Sequence, residues 1–172
     1  RANVIRQFRN RAPRRLYEPG CGGAITLSVC RQQFPDAELV GGDLSPSLLS
    51  GGHALSERLG WNITFRQEDA RCVAERDASV DAVLSYALHH EMPPVISEKV
   101  IREMFRILAP GGEMVINDPP PFRGVAPLQA VVLDWDTDNR AEPFFRLGIR
   151  PMLRVGIGFI CGGTRSSSNP FT

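Results

Sequence analysis

A glycine turn between two short apolar runs constrains this chain more than any other feature of its sequence. The first run ends in an acid and leads directly into the turn, Leu16-Tyr-Glu-Pro-Gly-Cys-Gly22. A second run, Val40-Gly-Gly-Asp43, ends in another acid about 20 residues later, the spacing of a nucleotide-binding strand, turn, helix and strand. Glycine is needed where the backbone approaches a ligand closely, and Asp43 can accept both hydroxyls of a ribose. The pattern therefore predicts a site for an adenosine cofactor.

Two residues favour S-adenosylmethionine over a dinucleotide in this site. The dinucleotide motif G-x-G-x-x-G needs its third glycine so that the helix packs closely on the strand, and Ile25 stands at that position. Glu18 stands directly before the turn, where a carboxylate repels a pyrophosphate but suits a ligand that carries a sulfonium and an ammonium. The sequence therefore disfavours an NAD-dependent oxidoreductase.

At these residues the chain resembles the class I S-adenosylmethionine-dependent methyltransferases, whose first motif reads acid-x-G-x-G-x-G. Glu18, Gly20 and Gly22 match this motif, and Ala24 replaces its last glycine. The likeness extends over roughly residues 14–118, and within the family the chain is most similar to the small-molecule enzymes that include those of quinone biosynthesis. The further blocks that carry the likeness are 40–45, 63–70, 79–90 and 102–116.

The resemblance implies which residues bind the cofactor and which face the acceptor. It places Asp43 at the ribose and the Asp69-Ala70 pair beside the adenine. It also turns His89 and His90 toward the acceptor, where one histidine is expected to act as a general base if the acceptor must lose a proton. In the other interpretation, one histidine packs against the cofactor and the other is structural. The expected cofactor-binding residues are Glu18, Gly20, Cys21, Gly22, Asp43, Leu44, Asp69, Ala70 and Tyr86.

Strands alternate with helices along the chain, which predicts an α/β fold. We expect a doubly wound, mostly parallel sheet of the Rossmann-like methyltransferase type, with helices on both faces. Ser45 and Pro46 are typical of a helix start, and apolar residues from Val95 to Leu108 follow helical spacing up to the Pro110-Gly-Gly112 turn. Ligands of such sheets bind outside the carboxyl ends of the strands. The polar residues predicted at those ends are Glu18, Asp43, Asp69, His89 and Asp118.

The C-terminal region is expected to depart from the family pattern. A pair of antiparallel strands closes the sheet in the family, whereas residues 151–160 offer one strand here. Residues 161–172 are rich in glycine and serine and predict a flexible tail. We therefore expect one domain over residues 1–160, an incomplete closing hairpin and an exposed sheet edge that offers a surface for a homodimer.

Composition limits the partners of the chain. Its 172 residues suit a single domain, and a net charge of +1 supports neither a nucleic-acid surface nor a membrane patch. The motif Asn117-Asp-Pro-Pro-Pro121 resembles that of nucleic-acid amino-methyltransferases, but it follows the fifth strand and ends without an aromatic ring. The four cysteines include no C-x-x-C pair, so we expect no metal site and no disulfide framework. A reduced, cytoplasmic setting is the simplest expectation.

These observations lead to one functional hypothesis and one alternative. The chain is expected to transfer a methyl group from S-adenosylmethionine to an oxygen, nitrogen or carbon atom of a small organic acceptor. The transfer is an in-line displacement that requires alignment rather than a nucleophilic side chain or a metal. In the alternative, the chain is a methyltransferase-like binding module without catalytic activity inside a larger assembly.

Overall fold

The computed structural model describes residues 1–10 and 12–118, and the backbone of residues 160–162. Helices and strands largely alternate after a short N-terminal helix, as the sequence predicts, but no helix lies between the third and fourth strands. The helices are α1 (Ala2–Ile5), α2 (Ile25–Gln33), α3 (Pro46–Leu59) and α4 (Pro94–Ile107), with a 3-10 turn at His89–Glu91. The strands are β1 (Arg15–Pro19), β2 (Glu38–Asp43), β3 (Ile63–Gln67), β4 (Val80–Tyr86), β5 (Leu108–Asn117) and β6 (Ile160–Gly162).

The strands form one sheet in the order β3-β2-β1-β4-β5-β6. Strands β1 to β5 pair in parallel, and β6 pairs antiparallel to β5. The strand order reverses between β1 and β4, and ligands of such sheets bind at that point, outside the carboxyl ends of the strands. The predicted doubly wound, mostly parallel sheet is confirmed.

Helices cover both faces of the sheet because successive strand residues point to opposite sides. Leu16 and Leu39 belong to one buried cluster with α2 and the N-terminal segment, whereas their neighbours Tyr17 and Val40 belong to another cluster with α4. Phe8 anchors the N-terminal segment in the first cluster. No helix among the described residues is long and apolar enough to cross a membrane.

The C-terminal strand differs from its prediction. β6 covers Ile160–Gly162, so two of its residues lie in the segment expected to be a tail, and the rest of that segment lies outside the described residues. The expected exposed edge of β5 is paired by β6 over Glu113–Val115. Free N–H and C=O groups at a sheet edge favour pairing even with a glycine-rich segment, which composition alone does not reveal.

The predicted break at Pro110-Gly-Gly112 also lies elsewhere than expected. Helix α4 has already ended at Ile107, and these three residues continue β5. Leu108 is the first residue of that strand and pairs with Val80. A register shift between Val80 and Ala82 absorbs the irregular backbone, which explains how the strand continues through a sequence typical of a turn.

We expect the substitution Gly41→Ala to destabilise the fold. A Cβ atom at Gly41 would lie 2.6 Å from Cys21 Sγ and 2.7 Å from Leu27 Cδ1, in the core under the glycine turn. Overpacking of this kind costs about 1–3 kcal/mol, to be measured as the free energy of unfolding in urea. The control is Gly51→Ala in α3, where no atom of the described part of the chain lies within 4 Å of the added carbon. This exposed helical position should gain about 0.5–1 kcal/mol. Equal stability of the two variants would contradict the packing described here.

Candidate active site

The glycine turn lies at the carboxyl end of β1, where Gly20 and Gly22 have left-handed backbone angles (φ +63° and +52°). Ala24 replaces the motif's last glycine yet keeps the left-handed conformation, with φ at 61°. A Cβ atom at Gly20 would lie 2.5 Å from Leu88 Cδ1. The turn therefore contacts the chain segment that follows β4, and glycine is needed at Gly20 for both its angle and its space.

The sequence argument from Ile25 was that its side chain would keep the helix from packing closely on the strand. The structure does not support this argument. Its side chain is 55% exposed at the start of α2, so it does not separate the helix from the strand. The buried residue at this junction is Ala24, which is 2% exposed. The argument from Glu18 is the one that the geometry retains.

Glu18 is buried, with 1% of its surface exposed, and its Oε2 atom has no hydrogen-bond partner among the residues that the structure describes. Burial raises the pKa of this carboxyl well above its usual value, although the Thr26 hydroxyl and the charge of Arg1 act in the opposite direction. Buried polar atoms are nearly always paired, and an isolated buried charge is costly. An unpaired carboxylate oxygen in this position fits a cationic ligand group.

Asp43 joins the two turns that form this part of the site. Its Oδ2 accepts a hydrogen bond from Gly22 N at 2.8 Å, and its Oδ1 accepts one from Ser45 N at 2.8 Å. Ser45 in turn caps α3, with its hydroxyl accepting from Leu48 N at 3.4 Å. A carboxylate has about four acceptor positions, so Asp43 retains capacity for ligand hydroxyls.

The N-terminal segment supplies a cation that sequence reasoning missed. The Arg1 guanidinium lies 5.0 Å from the centre of the Tyr86 ring, and Arg1 Nε donates to Thr26 Oγ1 at 3.2 Å. This charge is also close enough to Glu18 to act on its carboxyl. The corner formed by Tyr86, Thr26 and Glu18 therefore accommodates positive charge.

Asp69 and Ala70 follow β3, and the residue before them, Glu68, is hydrogen-bonded to the buried Tyr17. Tyr17 Oη donates to Glu68 Oε1 at 2.9 Å, and burial raises the pKa of this phenol. A Cβ atom at Gly42 would lie 2.2 Å from that hydroxyl, so the second strand needs glycine there. The Asp69 carboxylate itself is bonded to Arg71, which lowers the pKa of Asp69.

His89 is buried and hydrogen-bonded on both ring nitrogens. Its Nε2 lies 3.1 Å from Ser85 Oγ and its Nδ1 lies 2.7 Å from Ser97 Oγ, which ties the turn to β4 and α4. Burial lowers the pKa of this imidazole, although the nearby Asp118 opposes the effect. Both nitrogens are thus used within the protein, the arrangement of a structural histidine.

His90 has a different environment, with a carboxylate on one ring nitrogen. Its Nδ1 lies 2.8 Å from Asp118 Oδ1, and its Nε2 lies 3.5 Å from the exposed Glu91 carboxylate. Asp118 also accepts backbone hydrogen bonds from Leu88, His89 and His90. Sequence reasoning placed Asp118 at a strand end but gave it no role, because its partners lie some thirty positions away in sequence.

The remaining predicted residues are dispersed around the turn. Cys21 is buried, its backbone N–H donates to Gly42 O at 3.0 Å, and burial raises the pKa of its thiol. These features describe a packing residue. Leu44 is 67% exposed beside Asp43, and Ala70 is partly buried against the cluster that contains Tyr17.

Comparison with known proteins identifies the family. Residues 17–112, more than half of the chain, match the model of a methyltransferase domain. The chain belongs to this methyltransferase family. The resemblance expected from the glycine turn and the later blocks is thereby confirmed.

Two curated relatives and one solved structure illustrate the likeness. A demethylmenaquinone methyltransferase of Thermus thermophilus is 30% identical over 116 residues, which are 66% of this chain and 51% of the relative. A carboxy-S-adenosyl-L-methionine synthase of a Shewanella species is 29% identical over 157 residues, covering 86% of this chain and 63% of the relative. The geranyl diphosphate C-methyltransferase of Streptomyces coelicolor, solved with S-adenosyl-L-homocysteine, shares the fold with a TM-score of 0.60 at 18% identity.

Coverage of that structure is 67% of this chain and 44% of its own chain. The chain thus spans about half the length of the first curated relative. The relatives therefore support the family and the fold, whereas an acceptor must be argued from the site.

We expect Glu18→Gln to stabilise the free protein and to weaken binding of a cationic ligand. Because the pKa of Glu18 is raised in the folded state, its contribution to stability is complete below the unfolded value of 4.5 and is lost as the pH rises through the folded value. The glutamine variant should lack this loss. At pH 8 it should unfold with a free energy about 1–3 kcal/mol higher than the unmutated chain.

Thermal and urea unfolding between pH 4 and pH 8 measure this difference. The matched control is Glu57→Gln, since the Glu57 side chain is exposed on α3. If Glu18→Gln had the same dependence of stability on pH as the unmutated chain, the pKa of the buried carboxyl would not be raised in the free protein.

Proposed function

We propose that this chain transfers a methyl group from S-adenosylmethionine to a small organic acceptor by in-line displacement. The observation that carries the proposal is the buried Glu18 carboxylate, which has an unpaired oxygen beside a glycine turn. S-adenosylmethionine carries a sulfonium and an ammonium, and both suit a buried carboxylate with one unpaired oxygen. A pyrophosphate would be repelled by the same group.

The proposal gives each part of the cofactor a place in the site. Glu18 would bind the cationic end, and Asp43 would accept the ribose hydroxyls while it holds Gly22. Asp69 and Ala70 would lie beside the adenine. Leu44, Cys21, Gly20 and Tyr86 would complete the contacts proposed from the sequence.

The bound cofactor supplies an activated methyl group, so the protein chiefly has to align the acceptor and exclude water. The corner beside Tyr86 and Glu18 accommodates positive charge and contains Arg1 in the free protein. When the cofactor binds, Arg1 would leave this corner and contact the cofactor. This part of the proposal concerns binding and needs no covalent step on the protein.

The histidine turn would face the acceptor, with His90 rather than His89 as the general base. Both ring nitrogens of His89 are bonded to hydroxyls, which leaves it an anchor. His90 is held by a carboxylate at Nδ1, an arrangement that prepares Nε2 to take a proton. The demethylmenaquinone methyltransferase among the relatives supports a small-molecule acceptor.

Two measurements on the purified chain test the function. Calorimetry with S-adenosylmethionine and with NAD should show saturable binding of the first only. Release of S-adenosylhomocysteine should then be assayed with a short-chain demethylmenaquinone analogue and a panel of phenols, amines and carboxylic acids. Binding without transfer to any acceptor would favour the non-catalytic binding module, and binding of NAD alone would refute the proposal.

We expect Asp43→Ala to weaken binding of S-adenosylmethionine by about 1.5–3 kcal/mol, the usual value of hydrogen bonds to a charged group. This corresponds to a roughly 10- to 150-fold rise in Kd by calorimetry. The control is Asp81→Ala, because Asp81 also accepts two backbone N–H groups, those of Arg14 and Arg15, but begins rather than ends its strand. An unchanged Kd in folded Asp43→Ala would remove Asp43 from the site.

A further inference from the structure

The carboxylate of Asp118 organises the whole turn after β4. Oδ2 accepts from Leu88 N at 3.0 Å and from His89 N at 2.8 Å, whereas Oδ1 accepts from His90 N at 3.1 Å. Oδ1 also lies 2.8 Å from His90 Nδ1. The carboxylate side chain is 1% exposed, so all four contacts are made away from water.

The ionisation of Asp118 determines which atom donates in the contact with His90. Burial alone would raise the pKa of this carboxyl, but the hydrogen bonds from His90 and from His89 N hold the pKa below its usual value. Asp118 is therefore ionised at neutral pH. An ionised carboxylate only accepts hydrogen bonds, so Nδ1 of His90 must carry the proton.

The neutral His90 ring then has its lone pair on Nε2. This differs from His89, whose two nitrogens both meet serine hydroxyls that can donate or accept. The two adjacent histidines thus differ in their hydrogen-bond partners. A carboxylate fixes the tautomer of His90, whereas the two hydroxyls do not fix that of His89. The charged groups beside His90 include Asp118, which directly follows β5, and Glu91 on the turn itself.

The same turn contacts the glycine turn through Leu88. A Cβ atom at Gly20 would touch Leu88 Cδ1 at 2.5 Å, and Leu88 N is held by Asp118. Asp118 therefore sets the position of the histidine turn relative to the loop that would bind the cofactor. Its effect on the reaction would pass through His90 and Leu88.

We propose that Asp118 is a positioning residue for methyl transfer, which fixes the 88–91 turn and holds His90 as the Nδ1–H tautomer with Nε2 as the proton acceptor. The inference rests on the proposed function. The proton of the acceptor's O–H or N–H group moves to Nε2, and its bonding pair stays on the heteroatom to form the bond with the methyl carbon. The pair of the broken carbon–sulfur bond stays on sulfur, so the positive charge passes to the imidazolium.

The test reads the tautomer without cofactor or acceptor. Long-range ¹H–¹⁵N correlation spectra of the histidine rings, recorded from pH 5 to pH 9, should show that neutral His90 is protonated on Nδ1 and unprotonated on Nε2. In Asp118→Asn the amide can donate as well as accept, so the Nε2–H form should appear. The control Asp81→Asn removes an aspartate that also accepts two backbone N–H groups, and it should leave the His90 signals unchanged.

Two results would overturn the inference. One is His90 protonated on Nε2 in the unmutated chain, which decides the matter even if Asp118→Asn does not fold. The other is an unchanged tautomer in folded Asp118→Asn. With an acceptor that the unmutated chain methylates, Asp118→Asn should also slow single-turnover transfer roughly 10- to 100-fold without changing the Kd of S-adenosylmethionine. The predicted tautomer together with no transfer to any acceptor would contradict the proposed function and leave the Asp118–His90 assignment supported.

Discussion

The carboxylate of Asp43 is the constraint on which the rest of the site depends. Its two oxygens hold Gly22 N and Ser45 N at 2.8 Å, which fixes the glycine turn after β1 to the helix start after β2. Gly20 and Gly22 in that turn have left-handed backbone angles, and Gly20 also contacts Leu88 across the strand-order reversal. The same bonds keep the turn close above Gly41, where no side chain fits. The glycine turn is therefore held by one carboxylate and by glycines that allow its close approach.

Asp118 performs the equivalent task on the other side of the reversal. Asp43 ends β2 and Asp118 directly follows β5, and each accepts backbone N–H groups from the turn after a neighbouring strand. The two turns meet where Gly20 contacts Leu88. A buried carboxylate costs free energy unless it is hydrogen-bonded, and the backbone N–H groups of the turns meet that need. For Glu18 this need is met only in part, because its Oε2 has no hydrogen-bond partner among the described residues.

Much of this architecture could be predicted from local sequence. The turn after β1, the acid that ends β2 and the Ser45 cap depend on neighbours close in the chain, and the structure has each of them at the predicted position. Contacts between distant segments could not be predicted. Arg1 meets Tyr86, and Asp118 meets His90, through the folded sheet alone. The packing effect predicted for Ile25 is not seen, because the direction of a side chain at a helix start depends on the local backbone geometry. The position of β6 differs from its prediction because pairing at a sheet edge depends on β5 as well as on the composition of the added strand.

The most direct test of the account is an NMR titration of the unmutated chain with S-adenosylmethionine. The backbone amide signals of Gly20, Gly22 and Ser45 should shift in a saturable way with a single Kd, because these groups line the loop held by Asp43. The carboxyl carbon of Glu18 should move toward the ionised form on binding, since the ligand would supply its missing partner. Saturable shifts confined to another surface, or no shift in this loop at saturating cofactor, would contradict the central claim.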